Sequence, residues 1–174
     1  SNPHPLTLAD LRLTTTTSAC GVCGTSSIEA LMKQTRYEIP QVPVVPGVVA
    51  KLPSALSAEQ KQFRKTGGIH AAGAFTFDGE PIVVREDVGR HNAADKVIGH
   101  LLMEDKLPAN DLILVMSSRA SFELVQKAAM AGFCQLVAVS AASSLAVDTA
   151  RKTGMALVGF ARGDRFNLYS GDLK

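Results

Sequence analysis

The sequence has no tryptophan, and aromatic residues make up only 5% of it, so stacked-ring platforms for single-stranded nucleic acid are not expected. A basic cluster is missing too. Lys and Arg outnumber Asp and Glu by only 18 to 16 and are dispersed, whereas a nucleic-acid surface leaves a concentrated positive footprint. No apolar run approaches the ~20 residues a membrane-spanning helix requires, and no signal-peptide pattern opens the sequence as it stands. Cysteine is scarce, and its odd count of three does not read as the disulfide framework of a secreted domain. The expectation is therefore a cytoplasmic, reducing setting with no nucleic-acid and no membrane partner. There a close cysteine pair is more often catalytic or metal-binding. An initiating methionine is absent, and the polar, proline-punctuated start Ser1–Pro5 suggests a missing N-terminal part.

What is present suffices for one buried core: 174 residues, of which 46% are hydrophobic. Leu6–Leu13 alternates as a short strand would, and a short helix is expected over about Ser27–Lys33. Pro40 to Pro53 holds four prolines among valines and predicts an extended connector. The expected division is an N-terminal part over 1–56 and a core over 57–174, together one structural unit. Ser57 to Gln60 offers a capped helix start, with the helix running to about Lys65 before Thr66-Gly67-Gly68 breaks it. His70–Phe77 and Glu80–Arg85 read as a hairpin around Asp78-Gly79. A helix over Asn92–Met103, a strand over Leu112–Met116 and a helix over Ser121–Ala131 follow. Then come a strand at Leu136–Val139, a helix at Ser143–Lys152 and a final strand at Met155–Phe160. Two successive strand–helix crossovers imply parallel strands, so the fold class is α/β: a three-layer α/β/α sandwich with a mixed sheet.

Ligands of such sheets bind beyond the carboxyl ends of the parallel strands, near helix N-termini. Four polar loops converge there by this reading. Ser117, Ser118 and Arg119 to Ser121 combine hydroxyls and a guanidinium at a helix start, which suits phosphate. Arg85 to Asn92 carries Asp87, Arg90 and His91, with Asp87 and His91 placed to orient one another for proton transfer. Gly67, Gly68 and His70 form a third loop. Gly159, Phe160, Ala161, Arg162, Gly163, Asp164 and Arg165 form a fourth, at the exit of the final strand. Ser140–Ser144 reads as a helix cap rather than a site. Cys134 reads as an inert core thiol beside a buried strand. Cys20-Gly21-Val22-Cys23-Gly24 places two thiols in one flexible loop, able to share a metal, close a disulfide or pass sulfur onward.

The blocks Cys20–Gly24, Thr66–His70, Arg85–Asn92, Ser117–Glu123 and Gly159–Asn167 resemble, in order, the signature blocks of the FdhD family, the formate dehydrogenase accessory sulfurtransferases. The resemblance implies a cytidine-deaminase-like core acting as a cytoplasmic homodimer. It implies a sulfurtransferase that takes persulfide sulfur from a cysteine desulfurase. The recipient would be the molybdenum bis-molybdopterin guanine dinucleotide cofactor needed by formate dehydrogenase, with a guanine nucleotide as its expected mimic. By position, Cys20 and Cys23 match the family's sulfur-carrying pair, Cys20 being the expected persulfide bearer. Gly159–Asp164 matches the block associated with the cofactor, and Arg119, Arg162 and Arg165 are expected to clamp its phosphates. No resident metal is expected.

Two rival classes are a zinc deaminase and a thiol-disulfide oxidoreductase. The deaminase signature needs a glutamate two residues after its histidine, but Ala71 and Ala72 follow His70. The oxidoreductase pair usually opens a long helix, and only a short helix is expected after Cys23. A binding chaperone whose cysteines merely close a loop is a third reading.

Overall fold

The computed structural model describes residues 36–174. Six strands make one sheet in the order β2-β1-β3-β4-β5-β6: β1 His70–Thr76, β2 Pro81–Asp87, β3 Leu112–Met116, β4 Gln135–Ala138, β5 Ala156–Arg162 and β6 Arg165–Ser170. The β3-β4 and β4-β5 pairs are parallel and the other three antiparallel, so the sheet is mixed. Helices α4 (Arg90–Met103), α5 (Phe122–Met130) and α6 (Ser144–Thr153) pack on one face. Short helices α1 (Pro46–Val49) and α2 (Leu52–Glu59) cover part of the other, and the single turn α3 (Phe63–Thr66) leads into β1. The fold is a three-layer α/β/α sandwich.

Strand alternation sorts the core. Leu112, Leu114 and Met116 face α4–α6, while Ile113 and Val115 face α1 and α2. All five residues of β3 are buried, as a central strand covered on both sides requires.

Three expectations need correcting. The helix expected from Ser57 begins at Leu52, across the 56/57 boundary, and the segment Pro40–Pro53 contains α1 rather than being extended throughout. Proline is harmless in a first helical turn, where its missing N–H would have no intrahelical acceptor. That helix also stops at Glu59. Phe63–Thr66 is a separate turn whose Gln62 and Phe63 amides donate to the Glu86 carboxylate at 2.8 and 2.9 Å. Finally, Met155–Phe160 is not the last strand. β5 turns through Gly163-Asp164 into β6, whose Phe166 and Leu168 point inward between exposed Arg165 and Asn167.

Because β1 runs against both neighbours, its start lies beside the ends of β2 and β3: His70 pairs with Asp87, and Ala72 with Met116. The ends of β2 to β5 and the beginnings of β1 and β6 thus share one rim.

Candidate functional site

At that rim, the loops leaving β3 and β4 enclose a cavity of about 330 Å³. Arg90, Arg119, Ser121 and Glu123 line it on one side, and Ala142 and Ser143 on the other. The first turns of α5 and α6 open onto it, and their leading N–H groups have no intrahelical acceptor. Ser143 caps α6 by accepting from the Ala146 amide at 3.2 Å. So the Ser140–Ser144 turn is a cap and a cavity wall together. The two loops are joined by a parallel backbone bridge: the Ala120 amide donates to Ala141 and the Ser143 amide to Ala120, both at 3.0 Å.

Arg90 reaches this cavity from the start of α4. Its Nε is buried and has no hydrogen-bond partner among the described residues. A guanidinium N–H held away from water without an acceptor is costly, and an anionic ligand would satisfy it. His91 Nε2 lies 3.2 Å from Ser121 Oγ and 3.9 Å from Glu123 Oε2. Burial, reinforced by the Arg90 charge, holds the imidazole below its usual range, so it is neutral at pH 7.

Asp87 does not orient His91. Its Oδ1 accepts from the Gly89 amide at 2.9 Å and the Asn92 amide group at 3.2 Å, and its Oδ2 pairs with Lys96. Lys96 also donates to the Glu86 carbonyl at 3.1 Å. This network ties the end of β2 to the first turns of α4 and fixes Arg90 and His91 between them. The Lys96 ammonium, then the Gly89 amide, lower the Asp87 carboxyl from 3.8 to about 2. A carboxyl depressed on folding stabilises above its unfolded pKa, and the effect is lost as pH falls through the folded value. Asp87→Asn should therefore lower the thermal midpoint at neutral pH, with the gap to wild type closing between about pH 4 and about pH 2. Melting curves of both proteins across that range check this; a gap that stays constant contradicts it.

A model of the FdhD/NarQ family matches residues 4–174. The chain belongs to the FdhD/NarQ family. It is 64% identical over 158 residues to a protein of Corynebacterium efficiens named sulfur carrier protein FdhD, covering 91% of this chain and 57% of the relative. A protein of the same name from Streptomyces coelicolor is 54% identical over 159 residues, covering 90% and 56%. The chain thus spans just over half the length of these relatives. A solved structure from Desulfotalea psychrophila, designated a formate dehydrogenase accessory protein, superposes with a TM-score of 0.72 at 24% identity. It covers 85% of this chain and 60% of that one, and agrees in fold.

In this FdhD/NarQ chain, Cys20 and Cys23 lie outside the described residues. The remaining candidates share the rim but not one pocket. Gly67 caps α3 with φ +66°, and Gly68 beside it is exposed. His70 is half-buried at the start of β1. Ser118 is buried and donates to the Arg119 carbonyl at 3.0 Å, so its hydroxyl serves the loop. Ala161 packs in the core on the far side of the sheet from α4–α6. Arg162, Gly163, Asp164 and Arg165 form an exposed hairpin end and are not among the residues lining the cavity. The family block packs against the cavity loop: the Phe160 amide donates to the Ser140 carbonyl at 3.0 Å, and Gly159 lies beside Ser140 and Ala142. Phe160 is 42% exposed with φ +52°, a left-handed conformation that costs a non-glycine residue about 1–2 kcal/mol.

Sequence reading overlooked Glu123 as a cavity residue, because an acid in a first helical turn is ordinary. Cys134 is buried, donates to the Asn110 carbonyl at 3.4 Å, and has its thiol pushed up to about 11 by burial. No group of three or more His, Cys, Asp or Glu able to hold a metal occurs among the described residues, and no helix there is long and apolar enough to cross a membrane. A larger, polar opening of about 460 Å³ lies at the opposite edge, lined by Gln41, Arg151 and Asp172 among others.

Proposed function

We propose that this chain carries sulfur as a cysteine persulfide from a cysteine desulfurase to the molybdenum bis-molybdopterin guanine dinucleotide cofactor, and so serves formate dehydrogenase as a cytoplasmic sulfurtransferase. The observation that carries the cofactor half of this reading is Arg90, whose buried Nε lacks an acceptor at a cavity flanked by a second arginine. A polyanionic dinucleotide supplies that acceptor. Arg90 and Arg119 would hold its phosphates, with the N–H groups that open α5 and α6 beside them. When bound, the cofactor supplies the metal centre that accepts sulfur.

The sulfur half rests on family membership and on the Cys20–Cys23 spacing. The Cys20 thiolate attacks the outer sulfur of the donor persulfide, and the donor's S–S bond breaks as its own thiolate leaves. Cys20 then bears the persulfide. Attack of Cys23 on the inner sulfur would release hydrosulfide and close a Cys20–Cys23 disulfide, which a thiol reductant reopens. The homodimer implied by the resemblance is part of the same proposal.

The test is mass spectrometry of the chain after incubation with a cysteine desulfurase and cysteine. A gain of one sulfur atom on the peptide holding Cys20 and Cys23, lost in Cys20→Ser, is the expected result. An unmodified peptide under conditions where the desulfurase itself is charged would overturn the proposal. So would undiminished formate dehydrogenase activity in cells carrying Cys20→Ala.

A further inference from the structure

Arg85 opens the block Arg85–Asn92, and nothing in the cavity reading uses it. The two acids that follow it are taken: Glu86 accepts from the Gln62 and Phe63 amides, and Asp87 pairs with Lys96. Arg85 makes no ion pair among the described residues. Its guanidinium lies instead on a neutral backbone group. Nη1 donates to the Val84 carbonyl at 2.9 Å, and Nη2 lies 3.4 Å from His100 Nδ1 of α4. Water satisfies an exposed carbonyl equally well, and ordering so long a side chain costs rotamer freedom. The contact therefore needs another reason.

β2 is an edge strand, and its pairing shows which backbone groups face out. The Ala71 carbonyl accepts from the Ser117 amide, just past β3, so Ala71 and Gly73 turn their backbone groups to β3. His70, Ala72 and Ala74 then turn theirs to β2, where the partners are Asp87, Arg85 and Val83. That leaves Ile82, Val84 and Glu86 facing out. Arg85 covers the Val84 carbonyl at 2.9 Å, and Lys96 covers the Glu86 carbonyl at 3.1 Å. The strand they flank is β-branched, Ile82-Val83-Val84, and Ile82 is 41% exposed. Such an edge is a template for another strand, against which proline and charged side chains are the usual defences. Pro81 opens this strand.

We propose that Arg85 and Lys96 guard the outer edge of β2 against strand addition, the strand excluded being β2 of a second copy of this chain. Both side chains occupy carbonyls that the amides of an added strand would need. Ile82 and Val84 would otherwise offer that strand an apolar, hydrogen-bonding edge. The proposal does not depend on the cavity being a cofactor site.

Sedimentation velocity of the full chain over a wide range of concentration tests it, with Arg85→Leu, Arg85→Lys and the double variant Arg85→Leu/Ile82→Pro. Neither the wild type nor Arg85→Lys, which retains a donor, should form anything larger than the homodimer proposed above. Arg85→Leu should add a larger species whose share rises with concentration. Ile82→Pro should abolish that species, because the Ile82 amide faces out and its loss breaks no bond to β1. Amide exchange in the wild type, read residue by residue by NMR, checks the same geometry without any variant. Val84 and Glu86 should exchange fast, and Val83 and Arg85 slowly. Slow exchange at Val84 and Glu86 would overturn the proposal, since the edge would already be covered. So would Arg85→Leu that folds and shows the wild-type distribution at every concentration. A larger species that survives Ile82→Pro would overturn it too, because it would arise from another surface or from partial unfolding.

Discussion

Replacing Arg90 and Arg119 together by alanine is expected to abolish measurable GDP binding while the chain remains folded. Each guanidinium–phosphate hydrogen bond contributes about 1.5–3 kcal/mol, so losing even one from each arginine lowers affinity by about 10²- to 10⁴-fold. The arginines should not weigh equally. Arg119 is exposed and can exchange a phosphate for water. Arg90 has a buried Nε with nothing to bond in the free protein, so the ligand relieves a cost there as well as adding an interaction. Arg90→Ala should therefore lose more affinity than Arg119→Ala, without loss of thermal stability. Arg90→Lys should rescue little, since an ammonium lacks the planar fork. Calorimetry with GDP, alongside melting curves, decides this. A double variant that binds within about threefold of wild type (a difference smaller than one hydrogen bond) would remove the arginines from the site.

Gly159→Ala is expected to destabilise the chain by about 1–3 kcal/mol. A methyl group there would lie 2.7 Å from Tyr169 Cε2 and 3.1 Å from the Ser140 carbonyl oxygen. The tyrosine ring can swing aside. The carbonyl cannot do so freely, because it is backbone and accepts the Phe160 amide at 3.0 Å. Pushing it moves the loop after β4, which walls the cavity, so a lower melting temperature should come with weaker GDP binding. Gly99→Ala is the control. It sits inside α4, where the added methyl meets nothing within 4 Å, and alanine there should stabilise by about 0.5–1 kcal/mol. Chemical denaturation of both variants checks the pair. Equal stabilities for Gly159→Ala and wild type would show that the loop yields without cost.

Much of the fold was readable where local pattern and tertiary packing agree. β3 is a pure apolar run bounded by polar residues, α5 ends at Gly132 with φ +84°, and Asp78-Gly79 turns the hairpin with φ +91° at Gly79. What escaped was decided by distant partners. The turn Phe63–Thr66 is held by Glu86, more than twenty residues away in sequence. β6 pairs with β5 through a turn whose charged residues hide the period-two alternation behind it. At the site, sequence placed the right loops on one rim but joined them into a single pocket. The structure puts Asp87 to work holding α4, and the exposed Arg162–Arg165 hairpin end is not part of the cavity lining. Glu123 was visible only as a helix-terminal acid, because Arg90, which shares its cavity, is 33 residues earlier in the sequence.

The backbone bridge between Ala120 and Ala142 pairs the two loops again four residues past the last residues of β3 and β4. Ordering a loop residue at the moment of binding costs about 1–2 kcal/mol in lost freedom. Here two opposing loops surrender that freedom when the chain folds, so a ligand meets walls already set at their working distance. Recognition in this cavity becomes a matter of fit rather than of closure. Shape and charge that match are accepted as they arrive, and those that do not find no give in the wall.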